Sequence, residues 1–148
     1  PVTLRNDAAA IERGRYLYAS RGCGDCHGDD GAGREVFNDG KGMLVRAPNI
    51  TPGKGSAVAD YAPHHWNAAI RHGVKPDGRP LLIMPSEDYN RLTDEDLEAV
   101  VAYVRQFAPV DAPGATVRLP LPVKVLYAVG VVRDAAEKIV AALRSFTP

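Results

Sequence analysis

Cys23-Gly24-Asp25-Cys26-His27 holds both cysteines of the 148-residue chain, two residues apart, with a histidine directly after the second. That separation is too short for an ordinary structural disulfide and belongs to metal, redox or cofactor chemistry. C-x-x-C-H is the attachment sequence of c-type haem. Two thiols at this spacing reach the two vinyl groups of one porphyrin and form thioether bonds, while the adjacent imidazole of His27 falls under the iron. Three other readings compete. Zinc would need further ligands, and His64, His65 and His72 stand six or seven residues apart, outside the usual H-x(3–5)-H interval. A thioredoxin-like dithiol needs a βαβ context, and no strand pattern flanks the motif. Two buried structural cysteines beside a surface histidine would leave the irregular stretch that follows unexplained.

A second axial ligand should come from well downstream and approach the opposite face of the ring. The chain has two methionines, Met43 and Met84. Met43 sits in the glycine-rich Asp39-Gly40-Lys41-Gly42-Met43 soon after the histidine. Met84 sits in Leu81-Leu82-Ile83-Met84-Pro85, stiffened by Pro85 and followed by a well-capped helix, so it is the better preorganised ligand. Either thioether could instead fill a gap in the core. His72 is the remaining rival, and bis-histidine ligation would lower the potential relative to His/Met. An open sixth position is the last alternative.

The elements that must position these groups are helices. Asp7 to Arg21 reads as a helix with Asp7 as N-cap and an apolar stripe of Ala8, Ile11, Leu17 and Tyr18. Gly22 to Pro63 is rich in Gly, Pro, Asn and Asp and has little periodicity; a stretch this long needs an organiser, and a prosthetic group would serve. Pro63 to His72 reads as a short helix with Trp66, Ala69 and Ile70 on one face, and Pro76-Asp77-Gly78 as a turn. Thr93-Asp94-Glu95-Asp96 resembles a capping box with Asp in place of Glu, opening a helix through Leu97, Val100, Val101, Val104 and Phe107. Pro109 to Pro122 is a proline-rich connector. Val123 to Phe146 begins apolar and continues as an amphipathic helix on Ala136, Ile139, Val140 and Leu143. No period-2 alternation is convincing, so the pattern is all-α with long loops.

Composition narrows the function classes. The 18 basic and 18 acidic side chains balance to zero net charge, which argues against broad nucleic-acid binding and a polybasic membrane anchor. No run of apolar residues is long enough to span a bilayer. The first residue is Pro1, with no leader-like segment after it, so a secretory signal is expected to have been removed.

Taken together, these motifs resemble class I cytochromes c, and more narrowly the haem domains of bacterial dehydrogenase cytochrome subunits, over roughly Ala8 to Val110. Gly14 and Tyr18 match the small and aromatic pair on the family's first helix, where Tyr103 or Leu97 of the later helix would meet them. Ala47-Pro48-Asn49-Ile50 resembles the loop whose proline carbonyl accepts the proximal imidazole's Nδ1–H, which gives Pro48 that role toward His27. Asn49-Ile50-Thr51-Pro52, Asp77-Gly78 and Met84-Pro85 continue the likeness. Two departures stand out. Where relatives often carry Gly-Ile-Gly-x-Trp, this chain has Ala57-Val58-Ala59-Asp60-Tyr61, which leaves Tyr61 and nearby Trp66 as alternative propionate partners or as plain core. Where relatives often place proline two residues before the methionine, it has Leu82.

The resemblance implies a cytochrome c fold, with helices packed around one covalent haem c, a haem domain over residues 1–110, and a connector plus extra C-terminal helix over 111–148, packed on the same domain. It implies axial ligation by His27 and Met84, with Ile50, Leu81, Leu82 and Ile83 as pocket walls. The expected function is single-electron transfer rather than catalysis, periplasmic, to redox partner proteins such as a dehydrogenase, an oxidase or another cytochrome. Such partners dock through small interfaces, steered by local charge patches. The alternatives are a haem subunit fixed to a dehydrogenase or oxidase, with the C-terminal helix as tether or peripheral membrane contact, and a peroxide- or gas-binding haem protein with a displaceable sixth ligand.

Overall fold

The computed structural model describes residues 1–130. Helix α1 (Ala8–Ser20) starts at Asp7, whose carboxylate accepts the Ala10 N–H at 3.1 Å. Its buried face is Ala10, Gly14, Leu17 and Tyr18; Ala8, expected on that face, is exposed. The turn α2 (Cys23–His27) follows, then strands β1 (Glu35–Asn38) and β2 (Leu44–Arg46), helix α3 (Pro63–His72), the short α4 (Ser86–Tyr89), helix α5 (Asp94–Arg105), strand β3 (Thr116–Arg118) and helix α6 (Leu121–Ala128).

Helices α1 and α5 cross closely and build most of the core. Leu17 and Tyr18 pack with Leu97, Val100, Val101, Val104 and Phe107, and Trp66 of α3 joins them. The Tyr18 ring meets those of Tyr103 at 5.4 Å and Phe107 at 5.5 Å, both edge-on, the geometry aromatic quadrupoles favour. Tyr103 is thus the partner that the Gly14–Tyr18 pair required. Thr93 caps α5 by accepting the Asp96 N–H at 3.1 Å. The Asp96 carboxylate, placed by sequence in a capping box, instead holds Arg13 of α1 at 3.1 Å.

The all-α expectation needs correcting. The described residues include a three-stranded antiparallel sheet in the order β1-β2-β3. Phe37 pairs with Val45, and Val45 with Val117, so one short apolar row crosses the sheet with Val45 buried at its centre. Strands of three or four residues are too short to show a period, and β1 carries an irregularity between Glu35 and Phe37 that breaks the alternation. The third strand comes from the proline-rich connector, whose prolines flank it rather than interrupt it. Helix α6 leaves Leu121, Val125 and Leu126 exposed, as is Val129 just after it; the later part of the expected C-terminal helix, Ala136 to Leu143, lies outside the described residues.

Arg5 sits on Asp7 through two 3.0 Å contacts. Arg5 and the capped Ala10 N–H hold the Asp7 carboxyl below its ordinary value. A depressed folded-state value means that the stabilisation is present above the unfolded pKa and is lost as pH falls through the folded one. Asp7→Asn keeps a capping oxygen but cannot titrate. Its melting temperature is expected to fall less than the parent's between neutral pH and about pH 3; thermal melts across that range are the check, and equal falls would remove Asp7 from the acid response.

Candidate haem site

The C-x-x-C-H segment forms one helical turn, α2, held at both ends. On one side the Tyr18 hydroxyl donates to Gly28 O at 2.6 Å, directly after His27. On the other the Tyr89 hydroxyl donates to Arg21 O at 2.8 Å, directly before Gly22 and Cys23. Tyr89 belongs to α4, just beyond Met84, so the methionine loop and the cysteine turn are tied by one side chain. Sequence pattern did not single out Tyr89; a phenol four residues after Pro85 was the available signal.

Cys23 and Cys26 are both half-buried free thiols. Burial pushes the Cys23 thiol up to about 11, so it stays protonated at neutral pH. The His27 ring is held by Pro48, with Nδ1 3.1 Å from the carbonyl oxygen. A carbonyl only accepts, so Nδ1 carries the proton and the Nε2 lone pair is left to bind a metal. Burial lowers the His27 pKa and the Pro48 bond partly opposes it; the ring is therefore held in the neutral form a metal requires.

The loop bearing Pro48 is fastened to the turn. Gly33 N–H donates to His27 O at 2.8 Å, and Ile50 N–H to Gly31 O at 2.8 Å. At Gly33 a Cβ would lie 2.3 Å from Ala47 O and 2.7 Å from Pro48 O, with φ at +79°, so any side chain there would drive the Pro48 carbonyl off His27. Half-buried Ile50 packs against the core cluster beside this point.

Met84 is half-buried in a loop fixed to α3. Leu81 N–H donates to Gly73 O, Ser86 N–H to Met84 O, and the buried Ser86 hydroxyl to Ala69 O at 2.9 Å. Arg71 closes the far end, reaching Leu92 O at 3.0 Å and Asp94 at 2.7 Å. Leu81 and Leu82 are half-buried, Ile83 is 48% exposed, and His72 is exposed on the last turn of α3. Met43 ends the β1–β2 turn, where its N–H and carbonyl are both bonded to Asp39.

Tyr61 and Trp66 meet edge-on at 5.1 Å. Trp66 is 5% exposed, yet its indole Nε1 is buried without a hydrogen-bond partner among the described residues. A buried N–H of this kind calls for an acceptor that the polypeptide does not supply. The carboxylate of a haem propionate is such an acceptor, and two thiols, a neutral imidazole and a pinned thioether are the donor set of a c-type haem. The residues present fit the group.

Residues 9–104 match the family described as cytochrome c oxidase, cbb3-type, subunit III. The chain belongs to this cytochrome c family. The domain is 37% identical to the fructose dehydrogenase cytochrome subunit of Gluconobacter japonicus, over 92% of this chain and 29% of that protein. It is 32% identical to the gluconate 2-dehydrogenase cytochrome c subunit of Pantoea cypripedii, over 86% of this chain and 30% of that protein. It is also 29% identical to the cytochrome c subunit of the quinone alcohol dehydrogenase of Gluconacetobacter polyoxogenes. The chain therefore spans less than a third of the length of these relatives. A cytochrome c domain with the Cys23/Cys26 pair implies one covalently bound haem c and a role in electron transport. Among the described residues no helix is long and apolar enough to cross a membrane.

Proposed function

We propose that this domain carries single electrons on one haem c attached through Cys23 and Cys26, with His27 and Met84 as axial ligands. The bond between His27 and Pro48 carries the reading, because it fixes the tautomer that frees Nε2 for the iron. When bound, the haem would supply reversible one-electron chemistry. Everything else is done by the chain. Tyr18 and Tyr89 hold the attachment turn, and the α3-anchored loop presents Met84 without slack. Trp66 supplies an indole N–H for a propionate, with Tyr61 packed against it; the buried Nε of Arg46, also without a partner among the described residues, is a second donor that sequence reasoning missed. Met84 is favoured over His72 because its loop is pinned at both ends, whereas His72 is exposed.

The names of the relatives support electron acceptance from a dehydrogenase as the physiological role, with this domain working as one haem-bearing part of a larger assembly. The domain boundary near residue 110 is supported by the change from helix α5 to connector. Residues 111–118 return to the haem domain through β3, and α6 offers exposed apolar side chains to a partner protein or a membrane surface. A periplasmic location follows from covalent haem attachment, which takes place outside the cytoplasm.

Absorption spectra in both redox states test the assignment. The oxidised protein is expected to show a weak far-red band that Met84→Ala abolishes and His72→Ala leaves intact. A band that survives in Met84→Ala would overturn the methionine assignment, and haem released by acid–acetone would overturn covalent attachment.

A further inference from the structure

The peptide unit joining Pro48 to Asn49 is gripped from both sides. Its carbonyl accepts from His27 Nδ1 at 3.1 Å. Its N–H points the other way across the trans peptide and donates to Pro113 O at 3.2 Å. Hydrogen bonds in series polarise one another, so the Pro113 carbonyl drawing on this N–H makes Pro48 O a stronger acceptor for the imidazole.

Pro113 lies in irregular chain beyond α5, and two buried polar side chains fix that segment. Asn49 is fully buried, and its Nδ2 donates to Val110 O at 2.8 Å and Ala112 O at 3.2 Å, with Lys54 O at 3.3 Å. Its Oδ1 accepts the Thr51 N–H at 2.9 Å and the Thr51 hydroxyl at 2.7 Å. Thr51, also fully buried, accepts the Val110 N–H on Oγ1 at 3.0 Å. Two further bonds close the knot: Ala112 N–H to Lys54 O at 3.0 Å, and Lys54 N–H to Asp111 at 2.9 Å. Burying an amide and a hydroxyl is costly unless every partner is in place. Here the bonds to Val110 and Ala112 hold residues 110–113 behind the His27 acceptor.

We propose that Asn49 and Thr51 are positioning residues for the haem iron, setting the strength of the His27–Pro48 bond by locking Pro113 against the far side of the same peptide. This rests on His27 being the proximal ligand. A stronger Nδ1–H bond makes the imidazole more electron-rich and favours ferric iron. Opening the knot therefore raises the reduction potential.

The test is proton exchange by NMR on the reduced holoprotein, alongside a potentiometric titration, for Asn49→Ala and the milder Thr51→Val. Thr51→Ser, which keeps the hydroxyl, is the rescue. Exchange of the Val110 amide reports on the knot, and exchange of the His27 Nδ1–H on the imidazole bond. Both are expected to accelerate about tenfold in Asn49→Ala and Thr51→Val, the factor one hydrogen bond is worth, with a higher potential and parent values in Thr51→Ser. Thr93→Ala, which removes the α5 cap, controls for lost stability and should leave the His27 proton alone. A faster Val110 amide with an unchanged His27 proton and potential would overturn the proposal. So would an unaffected Val110 amide, or an equal response to Thr93→Ala. If the parent shows no haem-shifted His27 ring proton, the ligand assignment itself is wrong, which is a distinct result.

Discussion

Replacing both Cys23 and Cys26 by Ser is expected to cost the domain its haem and the ordered structure of residues 28–62. The reason lies in where the apolar core comes from. Its buried members are Ala10, Leu17 and Tyr18 on α1, Trp66 and Ala69 on α3, Leu97, Ala99, Val100, Val101, Ala102 and Val104 on α5, and Phe107 just after it. Over residues 22–62 the only buried apolar side chain is Val45. Ordering each residue costs about 1–2 kcal/mol of backbone entropy. The turns and short hairpin of this stretch bury too little apolar surface to offset that. A bound haem would supply the missing surface, and its two thioethers would hold it there at high effective concentration. In the double variant, acid–acetone should extract any residual haem. Amide protection should vanish over residues 28–62 while it persists on α1 and α5. Protection retained over 28–62 after haem extraction would show that the polypeptide organises these loops alone.

The same imbalance explains what could be read from the sequence. α3 and α5 have enough turns for periodicity to declare itself, and α3 runs from Pro63 to His72 as expected. On α1 the Asp7 cap was legible, but the buried face uses Ala10 and Gly14 rather than Ala8. Small residues carry no hydropathy signal, although they mark the closest helix approach. The strands were invisible because Val45 needs Phe37 and Val117, which lie far apart in the chain, to make an apolar row. At the site, C-x-x-C-H was legible because its chemistry dictates residue type and local spacing, whereas the Pro48 acceptor was legible only through the resemblance of Ala47-Pro48-Asn49-Ile50 to a family loop. Tyr89 on Arg21 O, Arg71 on Leu92 O and the Asn49–Thr51 knot were not. Each bonds a side chain to a distant backbone carbonyl, and a carbonyl leaves no trace in residue type.

Gly14→Ala is the second large effect, and two opposing terms decide its sign. In the middle of a helix, alanine gains up to about 1 kcal/mol over glycine. Against that, a Cβ at residue 14 would lie 1.9 Å from Ala99 O, 2.6 Å from Ala99 C and 2.8 Å from Tyr103 Cβ. Two of these three are backbone atoms of α5 and cannot swing aside, so α1 and α5 must separate by more than an ångström to restore ordinary contact. Close-packed interiors resist such shifts, and forced overpacking costs about 1–3 kcal/mol or more. The steric term wins, giving a net loss of about 2 kcal/mol, with more for Gly14→Val. The damage then reaches the haem, because Tyr18 is one turn along α1 and its hydroxyl holds Gly28 O beside His27. Displacing α1 draws that phenol away, so the far-red band should weaken at temperatures where the parent is still folded. Urea midpoints and the visible spectrum are measured together on the holoprotein. A Gly14→Ala protein as stable as the parent would mean that helix propensity outweighs the clash and that the two helices can slide apart at no cost to the site.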